Sequence, residues 1–184
     1  MPVDSKTSIE DYARKLSTQI DPGEPFILAG LSLGGIMAVE IAKFLQPQML
    51  ILFSTIKTRY EMPWYYRLAG KLQLYRLVSS AFLPVLLPFF YWFFGPLDKE
   101  GKLLIKAFMK QTDSIFLRWS LKQISRWQNT AVPGHYFHIH GANDKAFPSN
   151  LVTVSYTVNN AGHFCVFTHA GVVNNLLLRV LAQD

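Results

Sequence analysis

The stretch Gly30-Leu31-Ser32-Leu33-Gly34, with Gly35 after it, constrains this chain more than any other feature, because it joins an apolar run that reads as a strand to one that reads as a helix. Pro25, Phe26, Ile27, Leu28 and Ala29 make a short run suited to a strand buried on both faces. Ile36, Val39, Ile41, Ala42 and Leu45 recur roughly at helical spacing. A serine on so sharp a turn is held at strained backbone angles, and flanking glycines remove the side chains that would collide as strand and helix close up. G-x-S-x-G in this context predicts a nucleophile elbow, with Ser32 Oγ lifted clear of the sheet.

A serine hydroxyl is a weak nucleophile and needs a base and an orienting acid, in the chain order Ser, then Asp or Glu, then His. The β-like run Tyr136 to Ile139 is followed by His140-Gly141-Ala142-Asn143-Asp144, and the β-like run Leu151 to Val158 by Asn160-Ala161-Gly162-His163-Phe164. Each motif lies just beyond a strand's carboxyl end, the edge along which open α/β sheets build ligand sites. Asp113 and His169 are weaker alternatives for the acid and the base. Asp113 falls within helical patterning ahead of Trp119 and Trp127, and His169 lies just inside the final helical run.

Three motifs, Gly30-Leu31-Ser32-Leu33-Gly34, His140-Gly141-Ala142-Asn143-Asp144 with Pro148 following, and Gly162-His163-Phe164, resemble the α/β-hydrolase superfamily, in the branch of single-domain esterase-like enzymes with a helical cap. The match runs from about Thr7 to the C-terminus outside the cap. The resemblance implies an α/β fold with a mostly parallel sheet and helices on both faces. It implies Ser32 as nucleophile, His163 as general base and then acid, Asp144 as the partner fixing the imidazole tautomer, and the Leu33 N–H as an oxyanion donor. The implied reaction is hydrolysis of a carboxylic ester or thioester with a lipophilic portion, acting on a small-molecule acyl substrate without cofactor or metal.

Members of the superfamily also carry earlier strands and a helix, and a loop among them donates a second oxyanion N–H. Nothing ahead of the elbow matches that loop. The expectation is therefore an N-terminally truncated member with its first strands missing and one sheet edge bared. The alternative is a catalytically impaired pseudo-hydrolase or binding module that lacks a complete oxyanion hole.

The remaining pattern fits one α/β-hydrolase domain, with a core at 1–54 and 131–184 and a helical cap inserted at about 55–130. Asp4 to Ile20 reads as a helix, with Thr7 and Glu10 at capping-box spacing. Met49 to Phe53 reads as a strand, the insertion has helical spacing and no clear strand, and Thr168 to Ala182 reads as the closing helix. Leu77 to Leu97 carries no charged residue and is long enough to cross a bilayer. Pro84, Pro88 and Pro96 with Gly95 break it into two short helical pieces, so a protein anchored in the membrane by 77–97 is the alternative reading.

Charge is concentrated in the same insertion, which holds twelve of the eighteen Lys and Arg but four of the twelve acids. Lys102, Lys106 and Lys110 recur four apart beside Leu103, Leu104, Ala107 and Phe108, the layout of a solvated helix face. Attraction to anionic headgroups or acidic acyl substrates is the sharper reading of that charge; no recognition motif accompanies it to suggest nucleic acid. At 184 residues, half of them hydrophobic, the chain can build a sizeable core, and disorder is not indicated. The single cysteine, Cys165, rules out an internal disulfide and reads as a small buried hydrophobe. His135, His138 and His140 have no Asp, Glu or Cys among them and read as structural rather than metal-binding. Met1 to Ile20 offers no apolar signal-peptide region, which makes the cytoplasm the expected compartment. Oligomeric state is not encoded in any of these patterns.

Overall fold

The structure, a computed structural model, describes residues 6–79 and 85–182. Its centre is a four-stranded parallel sheet in the order β1 (Ile27–Leu31), β2 (Met49–Phe53), β3 (Tyr136–Gly141), β4 (Tyr156–Val158). Ile27 pairs with Met49, Leu50 with Tyr136, and Ile139 with Tyr156, so all carboxyl ends open on one rim. β2 matches the predicted range, and its Met49, Leu50, Ile51 and Leu52 are buried. β1 begins two residues later than predicted and is only partly covered. It is an edge strand among the described residues, with Ile27 39% exposed, and the expectation of burial on both faces is corrected.

The run predicted as one strand from Leu151 to Val158 is mostly loop. A 3-10 turn at Ser149–Leu151 precedes a β4 of three residues. The predicted closing helix is α8 (Ala170–Leu181), two residues shorter at its start, and a short helix, α7 (Cys165–Thr168), precedes it with His169 between them.

Before the sheet, α1 (Ile9–Ser17) is capped by Ser8 rather than Thr7. Ser8 Oγ accepts from the Asp11 N–H at 3.0 Å and donates to the Asp11 carboxylate. A cap one residue later leaves Glu10 in the first turn, where its charge favours the helix dipole. Tyr12 and Ala13 of α1 join Ile36, Met37 and Val39 of α2 (Leu33–Ile41) in the main apolar core. Asp4 and Ser5 lie outside the described residues.

Between β2 and β3 run α3 (Trp64–Lys71), a 3-10 turn (Leu74–Leu77), α4 (Leu87–Phe93), α5 (Lys99–Gln111) and α6 (Ser114–Arg126). This insertion divides by packing. Trp119 and Ile124 of α6, with Trp127 just after it, enter the main core, and two indole N–H groups tie them to it: Trp119 Nε1 donates to Thr7 O at 2.8 Å and Trp127 Nε1 to Glu40 Oε1 at 2.7 Å. α4 and α5 instead form a separate small core around Ile105 and Met109, joined by Phe90, Phe94 and Phe164. Asp113 is the N-cap of α6, accepting from the Ile115 N–H. The apolar stretch 77–97 lies partly outside the described residues; α4, within it, is seven residues long. No helix among the described residues is long and apolar enough to cross a membrane.

Candidate active site

Ser32 sits between the last residue of β1 and the first of α2 at φ 54° and ψ −120°, a positive φ that a non-glycine residue rarely holds. Two contacts keep it there. The Ser32 N–H donates to Phe53 O at 3.0 Å, and Thr55 Oγ1 donates to Ser32 O at 2.7 Å. Gly30 is obligatory for close approach, because a Cβ there would lie 2.3 Å from Gly34 O. Gly34 is not: it is exposed, and a Cβ on it would meet nothing within 4 Å; on that side of the serine the crowded glycine is Gly35, where a Cβ would lie 2.5 Å from Thr55 Cγ2. The Leu33 N–H, at the first turn of α2, makes no backbone hydrogen bond among the described residues.

Asp144 follows β3 in a tight loop whose Asp144 N–H returns to Gly141 O at 3.2 Å. Its carboxylate is buried and fully engaged. Oδ1 accepts the backbone N–H groups of Ala146 and Phe147 at 2.8 and 3.0 Å; Oδ2 lies 2.8 Å from His163 Nδ1 and 3.3 Å from His140 Nε2. Three hydrogen bonds thus hold the carboxylate, two on Oδ1 and one on Oδ2.

His163 follows β4 and is 2% exposed. Its backbone N–H donates to Phe94 O at 2.7 Å, and the Phe94 ring stacks on the imidazole with centroids 5.3 Å apart and planes at 19°. The loops carrying the acid and the base close on each other so tightly that a Cβ on Gly141 would lie 2.2 Å from Gly162 O. His163 Nε2 and Ser32 Oγ make no hydrogen bond among the described residues. Of the three side chains expected to converge, the structure therefore joins Asp144 to His163 directly and sets Ser32 on the same rim, without a hydrogen bond from its Oγ.

Behind Asp144 lies a feature that sequence reasoning assigned elsewhere. Lys57, one of the twelve basic residues of the insertion, is 1% exposed, and its Nζ reaches Glu61 Oε1 at 2.8 Å, Thr153 O at 2.6 Å and His138 Nδ1 at 3.2 Å. His138 Nε2 lies 3.3 Å from His140 Nδ1, and His140 Nε2 lies 2.7 Å from Phe147 O. Burial and the nearby Lys57 ammonium push the His138 pKa down to about 2, and burial above all lowers that of His140. The alternation His138-x-His140 did place both rings on one face of a strand; the partner awaiting them was a lysine rather than a metal. His135 is apart from them, its Nδ1 on Gln48 O. Among the described residues no group of three or more His, Cys, Asp or Glu is arranged to hold a metal ion.

The other weighed residues have structural settings. His169 Nδ1 pairs with its neighbour Thr168 Oγ1. Cys165 is buried against Ser54 Oγ at 3.4 Å, and burial pushes its thiol pKa up. A surface cavity of about 320 Å³ opens at the opposite, amino ends of β2 and β3, lined among others by Leu50 and His135, and contains none of the site residues.

No family model matches the sequence, and no curated protein matches it. Solved structures do match. An esterase from Thermogutta terrifontis, solved with malate bound, is 14% identical with a TM-score of 0.75, covering 100% of this chain and 75% of that one. MenH from S. aureus is 16% identical with a TM-score of 0.74, covering 100% and 79%, and a bromoperoxidase from Bacillus anthracis is 14% identical with a TM-score of 0.69, covering 100% and 77%. The chain has the α/β-hydrolase fold, and it spans about three quarters of the length of these structures.

Proposed function

We propose that this chain is a serine hydrolase that cleaves a carboxylic ester or thioester with a lipophilic portion through an acyl-enzyme. The observation that carries this reading is the 2.8 Å contact of His163 Nδ1 with Asp144 Oδ2, with Nε2 left unengaged on the rim where Ser32 holds its strained elbow. A carboxylate accepts only, so Nδ1 carries the proton and Nε2 offers its lone pair. Nε2 takes the Ser32 hydroxyl proton as Oγ attacks the acyl carbon, and gives it to the leaving oxygen or sulfur. The Leu33 N–H meets the developing oxyanion, and water then releases the acyl group by the same route in reverse. In an unliganded site the serine–imidazole hydrogen bond is commonly long, and it tightens when substrate seats.

The aromatic roof formed by Phe94 and its neighbours on α4 supports a greasy acyl or alcohol portion. The test is labelling of the folded protein by a fluorophosphonate. Labelling that disappears in Ser32→Ala supports the enzyme; absent labelling favours a pseudo-hydrolase or binding module, a reading to which a Ser32 Oγ without a hydrogen bond among the described residues lends weight.

A membrane surface is a second proposed partner. α5 exposes Leu103, Leu104 and Phe108 alongside Lys102, Lys106 and Lys110, and Leu77 and Trp92 are 72% and 59% exposed. Apolar side chains among lysines suit an anionic interface. Co-sedimentation with anionic vesicles but not with zwitterionic ones would support it, and equal recovery in both supernatants would remove it.

A further inference from the structure

The contacts behind Asp144 form a chain with a direction. An ammonium can only donate, so His138 Nδ1, 3.2 Å from Lys57 Nζ, must be the accepting nitrogen, and in a neutral ring the proton then sits on Nε2. A carbonyl can only accept, so His140 Nε2, 2.7 Å from Phe147 O, must carry a proton, and in a neutral ring Nδ1 is then the acceptor. With Lys57 Nζ on its Nδ1, His138 Nε2–H donates to His140 Nδ1 across 3.3 Å. The His140 Nε2–H donates to Phe147 O, and Nε2 lies 3.3 Å from Asp144 Oδ2, so the chain ends beside the carboxylate.

We propose that Lys57, His138 and His140 are positioning residues for the Asp144–His163 pair: burial keeps both inner imidazoles neutral, Lys57 fixes the direction of their hydrogen bonds and opposes a proton on His140, and the Asp144 carboxylate keeps its charge for His163. The inference rests on the hydrolase reading for its purpose, but its geometry stands without it. A protonated His140, 3.3 Å from Asp144 Oδ2, would be a second cation on the same oxygen. Its imidazolium would compete with that of His163, which the reaction needs Asp144 to stabilise. The fixed charge of Lys57 opposes that protonation from behind, and Glu61, which takes the Lys57 backbone N–H at 2.6 Å and its Nζ at 2.8 Å, keeps the buried ammonium paired. The charged and titratable groups around His140 are Asp144, His163, Lys57 and His138.

Nitrogen-15 NMR of the full chain labelled at histidine reads the chain directly. His138 and His140 are expected as neutral Nε2–H tautomers across the range in which an ordinary imidazole takes up its proton, and neutral His163 as the Nδ1–H tautomer. An Nδ1–H tautomer at His138 or His140, or an imidazolium at either near pH 6, overturns the proposal. Lys57→Met combined with Glu61→Met removes the ammonium and its carboxylate together; both also bond the Thr153 backbone, so circular dichroism first checks that the variant is folded. In that protein His138 is expected to lose its fixed Nε2–H tautomer, and fluorophosphonate labelling to fall about tenfold near pH 6 but less than threefold near pH 8, since Lys57 no longer opposes a proton on His140. A loss equal at both pH values overturns the positioning role. If the unaltered protein shows the expected tautomers but takes no label, the hydrolase reading fails and the chain of donors stands. If the tautomers differ, the chain of donors fails whatever the labelling.

Discussion

Asp144 holds His163 from one oxygen and its own loop from the other: Oδ2 meets Nδ1 at 2.8 Å while Oδ1 takes two backbone N–H groups. The carboxylate is thus oriented before any substrate arrives, and the imidazole inherits that orientation. Asp144→Asn keeps the shape but offers an N–H that can face Nδ1, driving the proton to Nε2 and removing the lone pair that Ser32 requires. Labelling is expected to slow on the order of 10,000-fold with the circular dichroism spectrum unchanged. A loss under tenfold would mean that Asp144 does not set the tautomer.

The elbow stores strain at Ser32, whose φ of 54° costs a non-glycine residue about 1–3 kcal/mol. Ser32→Gly is expected to raise stability by about 1 kcal/mol in urea unfolding while abolishing labelling. A destabilised variant would show that the hydroxyl's packing outweighs the backbone strain.

Gly30 and Gly34 are spelled alike in the motif, yet the structure separates them. Gly30→Ala drives a methyl to 2.3 Å from the Gly34 carbonyl oxygen, backbone that can yield only by opening the turn. A loss of about 3 kcal/mol or more is expected. Gly34→Ala enters open space in a helix, where it is expected to be neutral or stabilising by up to about 1 kcal/mol. Urea midpoints of the two variants check the contrast.

How far the sequence discloses this molecule follows from the range of the forces involved. The elbow, β2 and the order of the three motifs were legible because each is local: a turn needing glycine, a run of buried apolar residues, a loop at a strand's end. Helix α1 was legible apart from its cap, since Ser8 and Thr7 are both fit caps and one residue of register decides between them. β4 was overestimated because Val152 and Val154 are apolar for another reason: Val152 is buried in the main core, with Val154 packed against it. The burial of Lys57 was illegible. A lysine in a charged insertion reads as solvated, and only the fold brings Glu61, Thr153 and His138 around it from three places in the chain. The role of Phe94 was hidden in the same way, since it depends on an insertion residue meeting a loop almost seventy positions later.

That meeting is testable. Phe94 covers His163 with its ring and fixes the following loop with its carbonyl, and only the first is removed by Phe94→Ala. An aromatic pair is worth about 0.5–1.5 kcal/mol beyond area burial, so labelling is expected to slow up to about tenfold as the imidazole gains freedom. Phe94→Tyr should retain the rate, and a loss of equal size in both variants would remove the stacking argument.

Acid should expose the cost of keeping His138 neutral. In the unfolded chain His138 binds a proton near the ordinary value of 6.5, whereas in the fold burial and Lys57 hold its pKa at about 2. Above about pH 6.5 neither state binds that proton, and stability is at its full value. As pH falls from 6.5 toward 2 the unfolded chain gains a proton that the fold refuses, and stability declines by about 1.4 kcal/mol per pH unit from this group. His140, lowered in the same direction, adds to the loss. Urea unfolding should therefore show a decrease of about 2 kcal/mol or more between about pH 6.5 and 5. A flat profile across that window would mean that His138 takes up a proton in the folded state, and that the Lys57 ammonium does not hold the ring neutral.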